Sequence, residues 1–348
     1  MDMDGTAGVA AGIFVDGIEC AADLPLPPRL SRPEPEFGRL DLPDGGWLRH
    51  AAWPAPRAPR GTVVLLGGRT EFIEKYEPIA LALVARGWRT LSVDWRGQGG
   101  SSRFLPDSMR GHAPDFAVLE EDLAAYLDRI VRPRHSGGPL VLLGHSMGGH
   151  LALRLLAAQP EAADAAILSA PMAEISLGPF PPRLARWLAR LAVRLGFGSA
   201  WAPGQRPYDP AAKFFRDNPV TTDRACWALH HLWMRARPEL ALGGVTYGWL
   251  DAAFRSMDGL ARPEVAGRTR VPLLVLAAGR DTVVPADAQR RLATLHPCCR
   301  VVMLDDAMHE VLLERPEIRA RAWAPIDAFL AEVAARHAAG AREIAGTR

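Results

Sequence analysis

The chain is poor in cysteine, in long apolar runs and in net charge, and each shortage removes a class of protein. Its four cysteines, Cys20, Cys226, Cys298 and Cys299, follow no zinc-site spacing and read as reduced, small apolar residues of a cytosolic protein. No run approaches the roughly 18 apolar residues that span a bilayer. The opening Met1-Asp2-Met3-Asp4-Gly5 is acidic where a secretory signal is basic. The expectation is therefore a soluble, cytoplasmic protein, with peripheral contact at the inner face of the membrane left open. A formal net charge of +2 gives no global electrostatic case for a nucleic-acid partner. What is present is ordinary for a folded globular protein, 49% hydrophobic and 23% charged residues, in a length of 348 that can bury a large core.

Apolar runs and helical periodicities alternate along the chain. Strands are expected at Gly46 to Trp53, Thr62 to Leu66, Trp88 to Val93, Pro139 to Leu143 and Ala165 to Ala170. Helices are expected from about Phe72 to Arg86, ended by Gly87, and from Asp115 as N-cap to about Val131. That rhythm predicts right-handed crossovers and a mostly parallel sheet with helices on both faces. It breaks at about Pro171 and resumes at Val271 to Leu276, followed by a helix Ala286 to Leu295, a strand Cys299 to Leu304 and a helix from about Glu317 to His337. The expected division is an N-terminal extension at 1–36, a core at 37–172 and 263–340, and a helical cap at 173–262. The cap, inserted before the last two strands, is expected over the strand ends.

The chain is organised around Gly144-His145-Ser146-Met147-Gly148-Gly149, between a buried strand and a helix-forming run. A serine at such a turn is held in a strained conformation with its hydroxyl exposed, and the flanking glycines let strand and helix pass closely. On its own, this pattern is also that of a plain strand-to-helix turn.

A serine hydroxyl needs a base to become a nucleophile, and the base needs an acid to hold its tautomer. In chain order these are expected after the later strands. Asp281 follows Val271 to Leu276, and His309 follows Val301 to Leu304. Ser146, Asp281 and His309 are thus the candidate catalytic residues. Asp281 also has the plain reading of a turn-former, and Asp305 and Asp306 compete for the acid role but lie in the loop that carries His309. The other histidines, His145, His150, His230, His231 and His296, read as structural or exposed. An oxyanion needs backbone donors, each worth about 2.7–4 kcal/mol. The expected donors are the N–H of Met147 and, from the loop after the first buried strand, the N–H of Arg69.

The stretches G-G-R-T-E-F-I-E-K-Y (67–76), D-W-R-G-Q-G-G-S (94–101), G-H-A-P-D-F (111–116), G-H-S-M-G-G (144–149), A-P-M (170–172), G-R-D-T-V-V-P (279–285) and M-H-E (308–310) resemble the α/β-hydrolase superfamily. Within it the chain is similar to lysophospholipases and monoacylglycerol lipases, bacterial lysophospholipases in particular, from about residue 40 to 335. Gly67 departs from the pattern, since many relatives carry histidine in an H-G-x-G loop. The resemblance implies hydrolysis of a carboxylic ester through an acyl-enzyme on Ser146, with a lipid ester as substrate and neither metal nor organic cofactor. Two alternatives stay open: a non-catalytic ligand-binding protein on a hydrolase scaffold, and a peptidase or acyltransferase with the same triad.

The cap contains a basic amphipathic segment at 183–195. Leu184, Trp187, Leu188, Leu191 and Leu195 fall on one stripe, while Arg183, Arg186, Arg190 and Arg194 fall on another. It reads either as a surface for peripheral membrane contact or as a helix whose apolar side packs on the core.

Overall fold

The computed structural model describes residues 17–24 and 35–346. Eight strands form one sheet: β1 (Glu36–Asp41), β2 (Trp47–Ala52), β3 (Thr62–Leu66), β4 (Arg89–Val93), β5 (Leu140–His145), β6 (Ala165–Ser169), β7 (Leu273–Ala278) and β8 (Cys299–Leu304). Their order is β1-β2-β4-β3-β5-β6-β7-β8, antiparallel where β2 meets β1 and β4 and parallel elsewhere. The central strands are buried throughout and mostly apolar because both faces are covered. Val64, Leu66 and Leu142 face the helices α2 (Phe116–Tyr126) and α3 (Met147–Ala158). Val63, Leu65, Val141 and Leu143 face α1 (Glu77–Ala85) and the long C-terminal helix Pro316–Gly346.

Register fixes where the loops emerge. Leu66 pairs with Gly144, His145 with Ser169, Ser169 with Leu276, and Ala278 with Leu304. The carboxyl ends of β3, β5, β7 and β8 therefore finish along one edge, and the loops carrying Arg69, Ser146, Asp281 and His309 leave from that edge.

Between β6 and β7 run α4 (Pro182–Arg194), α5 (Arg224–Ala236), α6 (Tyr247–Leu260) and the short α7 (Pro263–Ala266); α8 (Ala286–Leu295) and the C-terminal helix, α9 (Pro316–Gly346), complete the fold. Helix α4 corrects the expectation that its apolar stripe packs inward. It buries Ala185 and Ala189 and packs against α6, while Leu184, Trp187 and Leu195 stay 43%, 58% and 62% exposed. Small side chains let two helices approach closely, so the alanine row, not the leucine row, forms the seam. No helix among the described residues is long and apolar enough to cross a membrane.

Other expectations shift at the edges. Strand β1 was not anticipated, because only Phe37 and Leu40 mark it and it is an edge strand with most side chains exposed. The Phe72 helix begins as a 3-10 turn at Ile73–Tyr76 before α1. Asp115 caps α2 as expected, accepting from the Ala117 N–H at 2.8 Å, and the helix then widens into a π-turn at Leu127–Val131. Of the expected N-terminal extension, residues 1–16 and 25–34 lie outside the described residues. Its described part packs on the inserted segment: Ala21 and Leu24 cluster with Trp227, Leu229 and Leu232. There the Ala21 N–H donates to the Lys213 carbonyl and the Phe215 N–H to the Glu19 carbonyl, both at 2.9 Å.

Candidate active site

Ser146 sits between β5 and α3 with φ 50° and ψ −115°. Such a conformation costs on the order of 1–3 kcal/mol for a residue with a Cβ and persists only where the surroundings impose it. Here the Ser146 N–H donates to the Ser169 carbonyl at 3.0 Å, and the Ser146 carbonyl accepts from Met172 at 3.0 Å and His150 at 3.1 Å. The flanking glycines are required sterically. A Cβ on Gly148 would lie 2.1 Å from the Leu66 carbonyl oxygen, and one on Gly144 would lie 2.6 Å from the Gly149 nitrogen. The turn is therefore more than a plain connection: the sheet and the next helix are both built around it.

His309 follows β8 and places its Nδ1 2.7 Å from Asp281 Oδ2. Asp281 is held from three further sides. Its Oδ1 accepts the Val283 and Val284 N–H groups at 2.8 and 2.9 Å, and its Oδ2 accepts from Gln289 Nε2 at 2.9 Å. Burial alone pushes the Asp281 carboxyl up, but the His309 hydrogen bond and charge, with the two N–H groups, outweigh it and hold the pKa below its ordinary 3.8. An ionised Asp281 keeps the proton on Nδ1, so Nε2 is the nitrogen left to act as a base. Asp305 and Asp306 have no part in this pair. Asp305 packs by its backbone against Gly279, and Asp306 pairs with Arg321. Ser146 and His309 line one cavity of about 560 Å³, together with Gly68, Arg69 and residues of the segment between β6 and β7, among them Arg206, Lys213, Phe214 and His230.

The loop after β3 reaches the serine closely enough that a Cβ on Gly68 would be 3.2 Å from Ser146 Cβ. Its peptide planes are set by side chains from the loop after β4. Trp95 Nε1 donates to the Gly67 carbonyl at 2.7 Å, and Gln98 Nε2 donates to the Gly68 carbonyl at 2.6 Å and the Glu71 carbonyl at 3.0 Å. Among the described residues no peptide is cis, so the Arg69 N–H points opposite to the Gly68 carbonyl and away from Gln98. Thr70 holds φ 64°, and Gln98 Oε1 accepts its N–H at 3.3 Å. Met147 opens α3, so its N–H has no partner within the helix.

Beneath this loop lies a buried ion cluster that the sequence reading did not assign. Lys75 Nζ is 2.7 Å from Glu71 and 2.5 Å from Glu310, the residue after His309. Glu71 also accepts the Gly68 N–H and the Tyr76 hydroxyl. Burial alone would raise the Glu71 carboxyl; the charge of Lys75 outweighs it and holds it low. Burial pulls the Lys75 ammonium down, but Glu310 and Glu71 together raise it. His145, whose ring centroid is 4.7 Å from that of His309, is driven down to about 4, first by burial, and is neutral at pH 7. His145, His230 and His231 line the cavity, and the buried His150 and His231 are hydrogen-bonded to Ser256 and Tyr208. Gln98, Glu71 and Lys75 stand inside motif blocks recognised in the sequence, but a block does not say which polar side chain turns inward.

A family model described as "Serine aminopeptidase, S33" matches residues 57–316. Lysophospholipase L2 of Escherichia coli strain K12 is 32% identical over 300 residues, covering 83% of this chain and 84% of that protein. A probable lysophospholipase L2 of Haemophilus influenzae is 29% identical over 282 residues, covering 81% and 87%. In fold, the chain is similar to a soluble variant of monoglyceride lipase from Saccharomyces cerevisiae, with a TM-score of 0.69 at 17% identity over 89% of this chain and 100% of that one. With its parallel sheet, its strained serine turn and these relatives, the chain belongs to the α/β-hydrolase family, among its lysophospholipase- and monoacylglycerol-lipase-like hydrolases.

Proposed function

We propose that the protein is a serine hydrolase that cleaves the carboxylic ester of single-chain lipids, lysophospholipids or monoacylglycerols, through an acyl-enzyme. The observation that carries this is the 2.7 Å contact between His309 Nδ1 and Asp281 in a cavity that His309 shares with the strained Ser146. In this reading Ser146 Oγ attacks the ester carbonyl while His309 Nε2 takes its proton. The Met147 and Arg69 N–H groups receive the oxyanion, and His309 returns the proton to the leaving alcohol. Water then attacks the acyl-serine with His309 again as base, releasing the fatty acid and restoring the hydroxyl. Asp281 orients His309 and stabilises its imidazolium throughout. No cofactor takes part in any step.

The segment between β6 and β7 acts as the cap in this proposal, since its residues 204–220 and 242–244 supply much of the cavity lining. Peripheral contact with an anionic membrane surface, from the cytoplasmic side, belongs to the same reading. It is supported by exposed Leu184, Trp187 and Leu195 on a helix whose Arg183, Arg190 and Arg194 are also exposed. Co-sedimentation with phosphatidylglycerol vesicles, lost in Trp187→Ser, tests that part.

The catalytic reading is tested with a fluorophosphonate probe and a panel of single-chain lipids, free fatty acid being the readout. Labelling confined to Ser146 and lipid turnover abolished in Ser146→Ala are expected. Absence of both removes the enzyme reading in favour of a binding protein, and turnover of peptide amides in preference to esters assigns the triad to a peptidase.

A further inference from the structure

The cavity is lined by charges of both signs. Its lining holds four cationic side chains, Arg69, Lys75, Arg206 and Lys213. The chain contains only two lysines, and both are among them. Lys75 is neutralised by Glu71 and Glu310. The other three form no ion pair with any carboxylate among the described residues.

Arg69 is half-buried next to the serine turn. It donates from Nη1 to the Gly243 carbonyl at 3.1 Å, and its Cζ lies 5.8 Å from the Trp249 ring centroid. Both contacts orient a guanidinium and neither cancels its charge. Burial lowers its pKa only to about 10, so it remains protonated at neutral pH. Arg206 and Lys213 approach from the segment above and are exposed toward the mouth. Lys213 is held below its ordinary value by burial and then by the charges of Arg206 and Arg69, with Asp209 in partial opposition. All three cations line the same cavity.

Four carboxylates line the same cavity: Glu71 and Glu310 are bound by Lys75, while Asp209 and Asp217 are engaged by near neighbours in the chain. Asp209 accepts the Ala211 N–H at 3.0 Å, and Asp217 lies 3.8 Å from Arg216. Three cations that face a cavity and form no ion pair among the described residues favour a ligand that brings negative charge, and a phosphodiester offers acceptor oxygens to both guanidinium and ammonium donors.

We propose that Arg69, Arg206 and Lys213 form a phosphate-recognising subsite beside the nucleophile, which makes the preferred substrate a single-chain lipid carrying a phosphodiester head group. This rests on the ester-hydrolase reading above and narrows it: a glycerol backbone sets ester and phosphate a short, fixed reach apart, with the ester at Ser146 and the phosphate among the three cations. A neutral monoacylglycerol gains nothing from them.

The test compares kcat/KM for lysophosphatidylglycerol and for a monoacylglycerol of the same acyl chain, both below their aggregation limits. It uses the wild type, Arg206→Gln, Lys213→Gln and the double variant. Both substituted side chains are exposed, and circular dichroism checks that the variants fold. The expected result is a phospholipid-to-monoacylglycerol ratio that falls about tenfold per cation removed, the scale of a charge-assisted hydrogen bond. Lys213→Arg should restore most of it.

Glycerol 3-phosphate should also inhibit ester hydrolysis competitively in the wild type and at least tenfold more weakly in the double variant. Inhibition by inorganic phosphate that is equal to that by glycerol 3-phosphate, with a substrate ratio that does not move, identifies a site for free anions and overturns the head-group assignment. A ratio unchanged within twofold in the double variant, while monoacylglycerol is turned over, overturns the subsite alone. A wild-type protein that hydrolyses neither lipid takes the hydrolase reading and the subsite down together.

Discussion

Gln98 Nε2 lies 2.6 Å from the carbonyl oxygen of Gly68, and so fixes the peptide unit whose other end is the Arg69 N–H. One side chain thereby sets the direction of a donor it never touches. Gln98→Leu should lower kcat by about 10²-fold, near the loss of one oxyanion donor, with KM changed far less. Steady-state kinetics on a p-nitrophenyl ester, with a melting curve to show that the fold survives, check this. A proportionate rise in KM at unchanged kcat would assign Gln98 to binding instead.

Gly148 has no room for a methyl group. With a Cβ 2.1 Å from the Leu66 carbonyl, Gly148→Ala must move either β3 or the start of α3. Overpacking of this kind costs about 1–3 kcal/mol, and the displacement falls on Ser146 and Met147. The expected outcome is a lowered melting temperature together with loss of fluorophosphonate labelling. Gly340, which meets nothing within 4 Å, serves as the control for the same substitution.

Lys75 joins the loop beside Ser146 to the residue after His309. Lys75→Met leaves two buried carboxylates facing each other without their cation, a loss of about 3–5 kcal/mol. Chemical denaturation measures it. Adding Glu310→Gln should recover part of the loss, because one uncompensated charge goes with it; a double variant less stable than the single would count against the charge argument.

The buried histidines make stability depend on acid. Burial, the largest influence on each, lowers His145 to about 4 and His150 and His231 to about 3, against about 6.5 when exposed. Between those values the unfolded chain binds more protons than the folded one. Stability is therefore full above about 6.5 and falls as the pH drops toward 4, by up to about 1.4 kcal/mol per pH unit for each such histidine. Urea midpoints at pH 7 and pH 5 test the sign, and His150→Asn should flatten the slope.

Most of the frame was legible in the sequence because burial on both faces leaves an unmistakable trace. Thr62 to Leu66, Pro139 to Leu143 and Val271 to Leu276 read as continuous apolar strands, and the loops after β5, β7 and β8 carry Ser146, Asp281 and His309 at one end of the sheet. What escaped was set by tertiary contact. The edge strand at Glu36–Asp41 has two apolar residues and a partner on one side only. Helix α4 advertised its leucines and tryptophan but is seated on alanines, since close approach selects for smallness and hydropathy patterns select for size. Lys75 and Gln98 look like any surface lysine and glutamine in sequence; only the chain around them makes them interior.

Residues 19–21 are stitched to the backbone at Lys213 and Phe215, on either side of a cavity-lining stretch. The rim is thus anchored from the far end of the polypeptide as well as through its own neighbours. Trimming the chain past Leu24 withdraws that seam of hydrogen bonds from the cavity wall without removing Ser146, Asp281 or His309, so the shape of the cavity is tied to a segment far from it in sequence.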